Sequence, residues 1–203
     1  MNYGQIKSYV RGHIHRTDIT DSSFDYWQQQ INDILNQSLY SNELITREDF
    51  TTPADSVFFV ASNIQQMIEV FTTRNGTRYD IRATSRDRAR QYDQTGVTQP
   101  LFYIAEGRRI EIVPAAEGTD YTVVYRQQVT PMAIDTDTNA VSQNHLEIYT
   151  YGFLREAYMY DRDFEGAQAA EARFNSAIMS VNTEAARIEA LQNTQGNGAS
   201  AWV

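Results

Sequence analysis

The chain has 203 residues, 41% of them hydrophobic and 21% charged, which are values of an ordinary globular protein and not of a disordered or fibrous one. Seventeen basic residues stand against 26 acidic ones, a formal charge of −9 at neutral pH, the wrong sign for a protein that grips a polyanion over its whole surface. No apolar run reaches the ~18 residues of a membrane span, the opening MNYGQIKSYVRGHIHRTD lacks the apolar core of a signal peptide, and zero cysteines exclude a disulfide framework and thiolate metal sites.

Tyr3, Ile6, Val10 and Ile14 fall at helical spacing and predict a short amphipathic helix. The stretch RTDITDSS interrupts it and offers Asp21 or Ser22 as the next N-cap. Asp25, three residues after Ser22, would complete a partial capping box. Phe24, Trp27, Ile31, Leu35 and Leu39 then form an apolar stripe that predicts a second helix of about five turns.

After Pro53 the period changes. SVFFVA is apolar and β-rich, and IQQMIEVFTT suits either a strand or a helix. Asn75-Gly76 predicts a hairpin turn, because both central positions of a type I′ turn need positive φ. Beyond it Thr77, Tyr79, Ile81 and Ala83 alternate with Arg78, Asp80 and Arg82, a half-buried strand. SRDRARQY predicts a short helix ending near Gly96. LFYIAE, RRIEIV and YTVVYRQQ predict three more strands, the first two joined through Glu106-Gly107, and their direct succession predicts antiparallel pairing.

From Asn144 the helical signal returns for nearly fifty residues. HLEIYTYGFLREAYMYDRD carries tyrosines at 149, 151, 158 and 160, so more than one face is apolar and protein is expected on several sides. A break at 161–166, with Asp163 as a cap, separates it from a second run. There Ala167, Ala170, Phe174, Ala177, Val181, Ala185 and Ile188 recur at three- and four-residue steps, and the small residues permit close helix packing. The predicted fold class is α+β: N- and C-terminal helices forming a helical bundle, with an antiparallel β-sheet inserted between them. One domain is expected over 1–192 and a flexible tail over 193–203. That tail, NTQGNGASAWV, reads either as a frayed end or as an anchor that orders on a partner through Trp202, a residue type enriched at binding hot spots.

Signatures of chemistry are sparse. GxxxxGK, a strand-to-helix GxGxxG and GxSxG are all missing. His13 and His15 stand two apart, so on one helix they point in different directions and cannot chelate together. His145 reads as a polar residue near a helix terminus. Asp135, Asp137 and Asn139 imitate the opening of a calcium loop, but Ala140 and Leu146 occupy the sixth and twelfth positions, where glycine and a bidentate glutamate are needed. An acidic pair able to hydrolyse glycosidic bonds, as in a cell-wall hydrolase, depends on a separation that sequence does not give. No residue pattern calls for an enzyme, a cofactor or a metal.

Between Phe71 and Gly96 lie Arg74, Arg78, Arg82, Arg86, Arg88 and Arg90 against three aspartates, a local +3 that leaves −12 on the rest of the chain. Lys7 is the single lysine, and arginine is the better partner for fixed carboxylate or phosphate pairing. The cluster reads as a solvated or intersubunit salt-bridging face, or as the phosphate contacts of a nucleic-acid-binding protein.

Four stretches together resemble the head-to-tail adaptor (connector) proteins of short-tailed bacteriophages. YGQIKSYV followed by HRTDI is similar to that family's first helix and Arg-Thr-Asp turn, and INDILNQSL to the end of its second helix. FYIAEGRRIEIVPA with YTVVYRQQVTPM is similar to its paired strands, each followed by a proline. HLEIYTYGFLREAYMYDRDFEGAQAAEARFNSAI resembles its C-terminal helical hairpin, with Tyr151-Gly152 and Glu156-Ala157 in the expected places. The order of these stretches over residues 3–181 carries the resemblance. It implies a non-enzymatic virion protein, assembled in the host cytoplasm into a homo-oligomeric ring of typically twelve copies. That ring would sit beneath the portal protein, meet a tail nozzle or tail tube protein on its far side, and pass double-stranded DNA without specific binding. The tail residues Ala201, Trp202 and Val203 are then expected to dock on the portal.

Overall fold

A computed structural model describes residues 1–53, 57–59, 63–93, 102–106, 109–113 and 117–197. The chain divides into two compact units, Met1–Leu44 together with Val129–Val203, and Ile45–Gln128. The fold is mixed α+β, as expected. Among the described residues no helix is long and apolar enough to cross a membrane.

The first unit opens with α1 (Tyr3–His13), started by a capping box in which Asn2 accepts from the Gln5 N–H and Gln5 accepts from that of Asn2. Helix α2 (Asp21–Ser38) follows. Its N-cap is Thr20 and not Asp21 or Ser22: the Thr20 hydroxyl accepts from the Ser23 N–H at 3.2 Å. Asp25, expected in the capping box, instead accepts from the Tyr3 hydroxyl at 2.9 Å. A local capping preference has yielded to a contact between helices. A 3-10 turn at Asn42–Leu44 leads out of the unit.

The unit resumes at Val129 and continues through the short α4 (Ala140–Asn144) to α5 (Leu146–Tyr160) and α6 (Phe164–Asn197). Arg162, at φ 62, turns the chain between α5 and α6, and Asp163 accepts from the Gly166 N–H as the expected cap. All five residues of the α2 stripe are buried, and they share one core with Tyr3, Ile6 and Val10 of α1 and with Ile148, Tyr149 and Phe153 of α5. Helix α5 packs on α1, α2, α4 and α6, which is why its sequence is apolar on several faces. Gly152 on α5 lies where Ile31 of α2 and Phe174 of α6 leave no room for a side chain.

A polar row on α2 anchors the segment that returns to this unit. Gln28, Asn32 and Asn36 repeat at four-residue steps, one per turn. Gln28 both donates to the Met132 carbonyl and accepts from its N–H, at 3.2 and 3.0 Å. Asn36 accepts from the Val129 N–H at 2.7 Å. Asn32 accepts from the buried Tyr149 hydroxyl at 2.7 Å, and that hydroxyl accepts in turn from Asn139.

The second unit is a single sheet. Its strands are β1 (Ile45–Thr51), β2 (Val57–Phe59), β3 (Ile64–Arg74), β4 (Thr77–Ala83), β5 (Phe102–Glu106), β6 (Arg109–Val113) and β7 (Asp120–Gln127). Helix α3 (Arg86–Asp93) lies between β4 and β5 in the chain. The strand order is β1-β7-β3-β4-β5-β6-β2. The ambiguous IQQMIEVFTT segment is therefore a strand, and β1 is a strand the sequence did not announce. The Asn75-Gly76 turn forms as expected, both residues at positive φ (51 and 77).

Two expectations about pairing are corrected. Consecutive β6 and β7 are not neighbours, because β7 lies between β1 and β3 and β6 between β5 and β2. The sheet is also not wholly antiparallel, since β4 and β5 run parallel, Arg82 opposite Phe102. The chain between those two strands includes α3, and a crossover of that length allows parallel neighbours. β1 and β2 are sequence neighbours at opposite ends of the order. Six strand spacings of ~4.8 Å would hold the edges ~29 Å apart in a flat sheet, whereas the six residue steps from Thr51 to Val57 reach at most ~22 Å. The sheet must curl. Its inner face is an apolar cluster of Val70, Ile81, Ile110, Ile112, Val123 and three tyrosines. Ala89 of α3 covers Ile104 and Val113 on the other face.

Candidate functional site

The arginine segment spans the end of β3, β4 and α3. The structure divides its members by what they touch. Arg74, at the hairpin, closes the β3–β4 ladder opposite Thr77 and lies beside Tyr121. Burial pushes that phenol up to about 12, against the pull of the Arg74 charge. Arg78 sits between Glu69 and Asp80, 2.6 Å from each, with its guanidinium 4.0 Å above the Phe71 ring. Partial burial disfavours the charged Arg78, yet the two carboxylates outweigh it and hold the guanidinium protonated above its usual range. Arg47 of β1 stacks on the same ring at 5.3 Å.

Arg86, at the start of α3, grips Glu106 of β5 in a bidentate pair (3.1 and 2.8 Å) and reaches Glu111 of β6 at 3.5 Å. Arg109 joins the same two carboxylates at 3.3 and 2.9 Å. This cluster ties α3 to the β5–β6 pair. The Arg86 guanidinium, with a smaller part from Arg109, holds the Glu106 carboxyl below its ordinary range. Arg82 and Arg88 are exposed; among the described residues neither has a carboxylate partner. The side chain of Arg90 lies outside the described residues.

The arginines therefore do not form one stripe. The carboxylates that hold Arg78 and Arg86 include Glu69, Glu106 and Glu111, all outside the basic segment, so the local +3 is partly neutralised by its neighbours in space. Sequence reasoning missed these partners because they come from other strands. Arg82 and Arg88 are the members whose charge is presented to solvent.

Two of the three histidines, His13 and His145, have structural partners for their rings. His13 Nε2 lies 3.1 Å from the Tyr158 hydroxyl, and its ring stacks on Tyr9. His145 lies between α4 and α5, 3.1 Å from Glu43. His15 takes the left-handed conformation (φ 55) at the end of α1. The calcium-like residues are each engaged elsewhere. Asp135 pairs with Lys7, Asp137 accepts from the Ala133 and Ile134 N–H groups, and Asn139 caps α4. Lys7, almost wholly buried, also meets Asp21 at 3.3 Å. Desolvation works against its charge, but the two aspartates prevail and keep it protonated above the usual lysine range.

Two clefts border the α5–α6 hairpin. One, of about 280 Å³, is lined by Tyr9 and His13 of α1, Tyr151 and Tyr158 of α5, and Gly166 and Arg173 of α6 among others. Arg173 donates to the Tyr151 hydroxyl at 3.2 Å and lies over its ring. The other, of about 330 Å³, holds Met159, Phe164 and Glu171; Met159 is 50% and Phe164 66% exposed. Ala201, Trp202 and Val203 lie outside the described residues, as do the other residues after Asn197.

A family model described as SU10 adaptor protein matches residues 1–197 of the chain. No curated protein matches it.

Proposed function

The chain belongs to the SU10 adaptor protein family, a phage adaptor family in keeping with the head-to-tail resemblance, and from that premise we propose that it is a non-enzymatic subunit of the virion's head-to-tail adaptor. In this reading copies of the chain, typically twelve, close into a ring that joins the portal to the tail nozzle or tail tube and extends the DNA channel. The observation that carries it is the family match, which covers nearly the whole chain.

Physical features support it. Closed rings need heterologous contacts, one surface meeting a different surface of the next copy, and exposed Arg82 and Arg88 on a chain of net charge −9 suit a contact with acidic groups of such a neighbour. A net charge of −9 suits a channel that lets DNA pass, because duplex carries a charge every ~1.7 Å and each basic contact would retard it. Ion pairs internal to the sheet unit occupy Arg78 and Arg86, which leaves Arg82 and Arg88 for contacts with a neighbouring subunit or with phosphate.

Native mass measurement of the chain, alone and mixed with the portal ring of the same genome, tests the proposal. A defined multimer bound to the portal is the expected result; no complex at any salt concentration would refute it. Exposed Arg82 and Arg88 favour a second reading, a duplex-binding protein. That reading requires a salt-sensitive mobility shift, and its absence at low salt would eliminate it.

A further inference from the structure

The two clefts lie on opposite sides of one helix pair, and their chemistry is complementary. Gly166 and Arg173 on α6 are seven residues apart, as are Phe164 and Glu171, so each pair shares a face. Arg173 and Glu171 are two residues apart, which at ~100° per residue turns them ~200° from each other. One face is a recess walled by aromatic rings, with a cation at its rim. The opposite face carries Phe164, 66% exposed at the second cleft, with the anion Glu171 about two turns further along the helix. Among the described residues neither Arg173 nor Glu171 has a counter-ion, and most of Phe164 is exposed.

We infer that these two faces are the two halves of one contact between copies of this chain: the Phe164 side chain of one copy enters the Tyr9–His13–Tyr158 recess of the next, and Glu171 of the first meets Arg173 of the second. The occupant is a second copy because Arg173 in the recess and Glu171 beside Phe164 lie on opposite faces of the same helix, carry opposite charges, and have no counter-ion among the described residues. Such a contact is not self-complementary within one pair of copies, so it propagates from copy to copy, the requirement for a ring. Phe164 is the kind of large aromatic that anchors an interface, and the Glu171–Arg173 pair at its edge sets the register. The inference rests on the adaptor-ring reading and adds to it the surface through which the copies meet.

The absence of cysteine makes the test direct. Full-length Phe164→Cys and His13→Cys chains are prepared separately, mixed under assembly conditions with the portal ring present, and oxidised. A disulfide requires Cα atoms within ~7 Å. The proposed contact gives a mixed dimer containing one chain of each kind, well in excess of the dimers that either chain forms alone. In parallel, Arg173→Glu and Glu171→Arg each weaken assembly about tenfold, as loss of a partly desolvated charge pair does, and the double variant recovers it. Full assembly by native mass with no excess of mixed dimer and no effect of the single charge changes would overturn this contact and leave the adaptor reading standing. Failure of the unmodified chain to assemble at all, with or without portal, would overturn both.

Discussion

Gly152 concentrates the packing problem of the helical unit in one residue. A Cβ there would stand 3.1 Å from Ile31 Cδ1 and 3.2 Å from Phe174 Cε2. Ile31 and Phe174 are both fully buried, so neither can retreat. Gly152→Ala gains about 1 kcal/mol of helix propensity but forces overpacking of about 1–3 kcal/mol. The expected outcome is a lower midpoint in thermal unfolding followed by circular dichroism; a raised midpoint would show that the seam has slack. The glycine is plain in the sequence. Its reason is not, since the two side chains that exclude a methyl group come from positions 121 residues before and 22 after it. The buried Tyr149 was likewise visible as an aromatic on a crowded helix, while its polar partners Asn32 and Asn139 gave no signal, because buried and exposed asparagines look the same in a string of letters.

Between elements, charge fixes what apolar patterning leaves open. Helix α1 is joined to the start of α2 and to the segment before α4 through Lys7, Arg11, Asp21 and Asp135. Arg11 first, then Lys7, holds the Asp21 carboxyl below its usual range. A depressed carboxylate contributes stability that is complete above its unfolded value of about 4 and disappears as pH falls through the lower folded value. Lys7, whose folded value is raised, contributes fully below about pH 10 and loses that contribution only at higher pH. Asp21→Asn should therefore be less stable than the parent chain at pH 7, with the difference closing as pH falls below about 4. Urea melts at both pH values measure it, and a difference independent of pH would refute the linkage. The strongly periodic elements were readable in advance: the α2 stripe, the Asn75-Gly76 hairpin, the β5 and β6 strands. β1, ITREDFT, was not. It lies at the end of the strand order, where charged residues are the usual protection of an edge, and so it lacks the apolar alternation that marks a half-buried strand.

For the whole molecule, the proposal that Ala201, Trp202 and Val203 dock on the portal has a direct measurement. Helix α6 continues to Asn197, five residues into the segment expected to be a tail, so the cleaner deletion is 198–203. The truncated chain should keep the circular dichroism of the parent and bind the portal ring at least about tenfold more weakly, as removal of an aromatic anchor does. Unchanged affinity in a titration would remove the anchor claim. By itself the sequence determined the α+β class, most of the helices and the family, because those depend on periodicities and on the order of segments along one chain. Tertiary structure alone decided that β7 lies between β1 and β3, that β4 and β5 run parallel, and that carboxylates outside the arginine segment hold Arg78 and Arg86. Each of these is a pairing between residues distant in sequence. Local propensity sets the shape of an element, whereas its partner is chosen by burial and charge that exist only once the chain has folded.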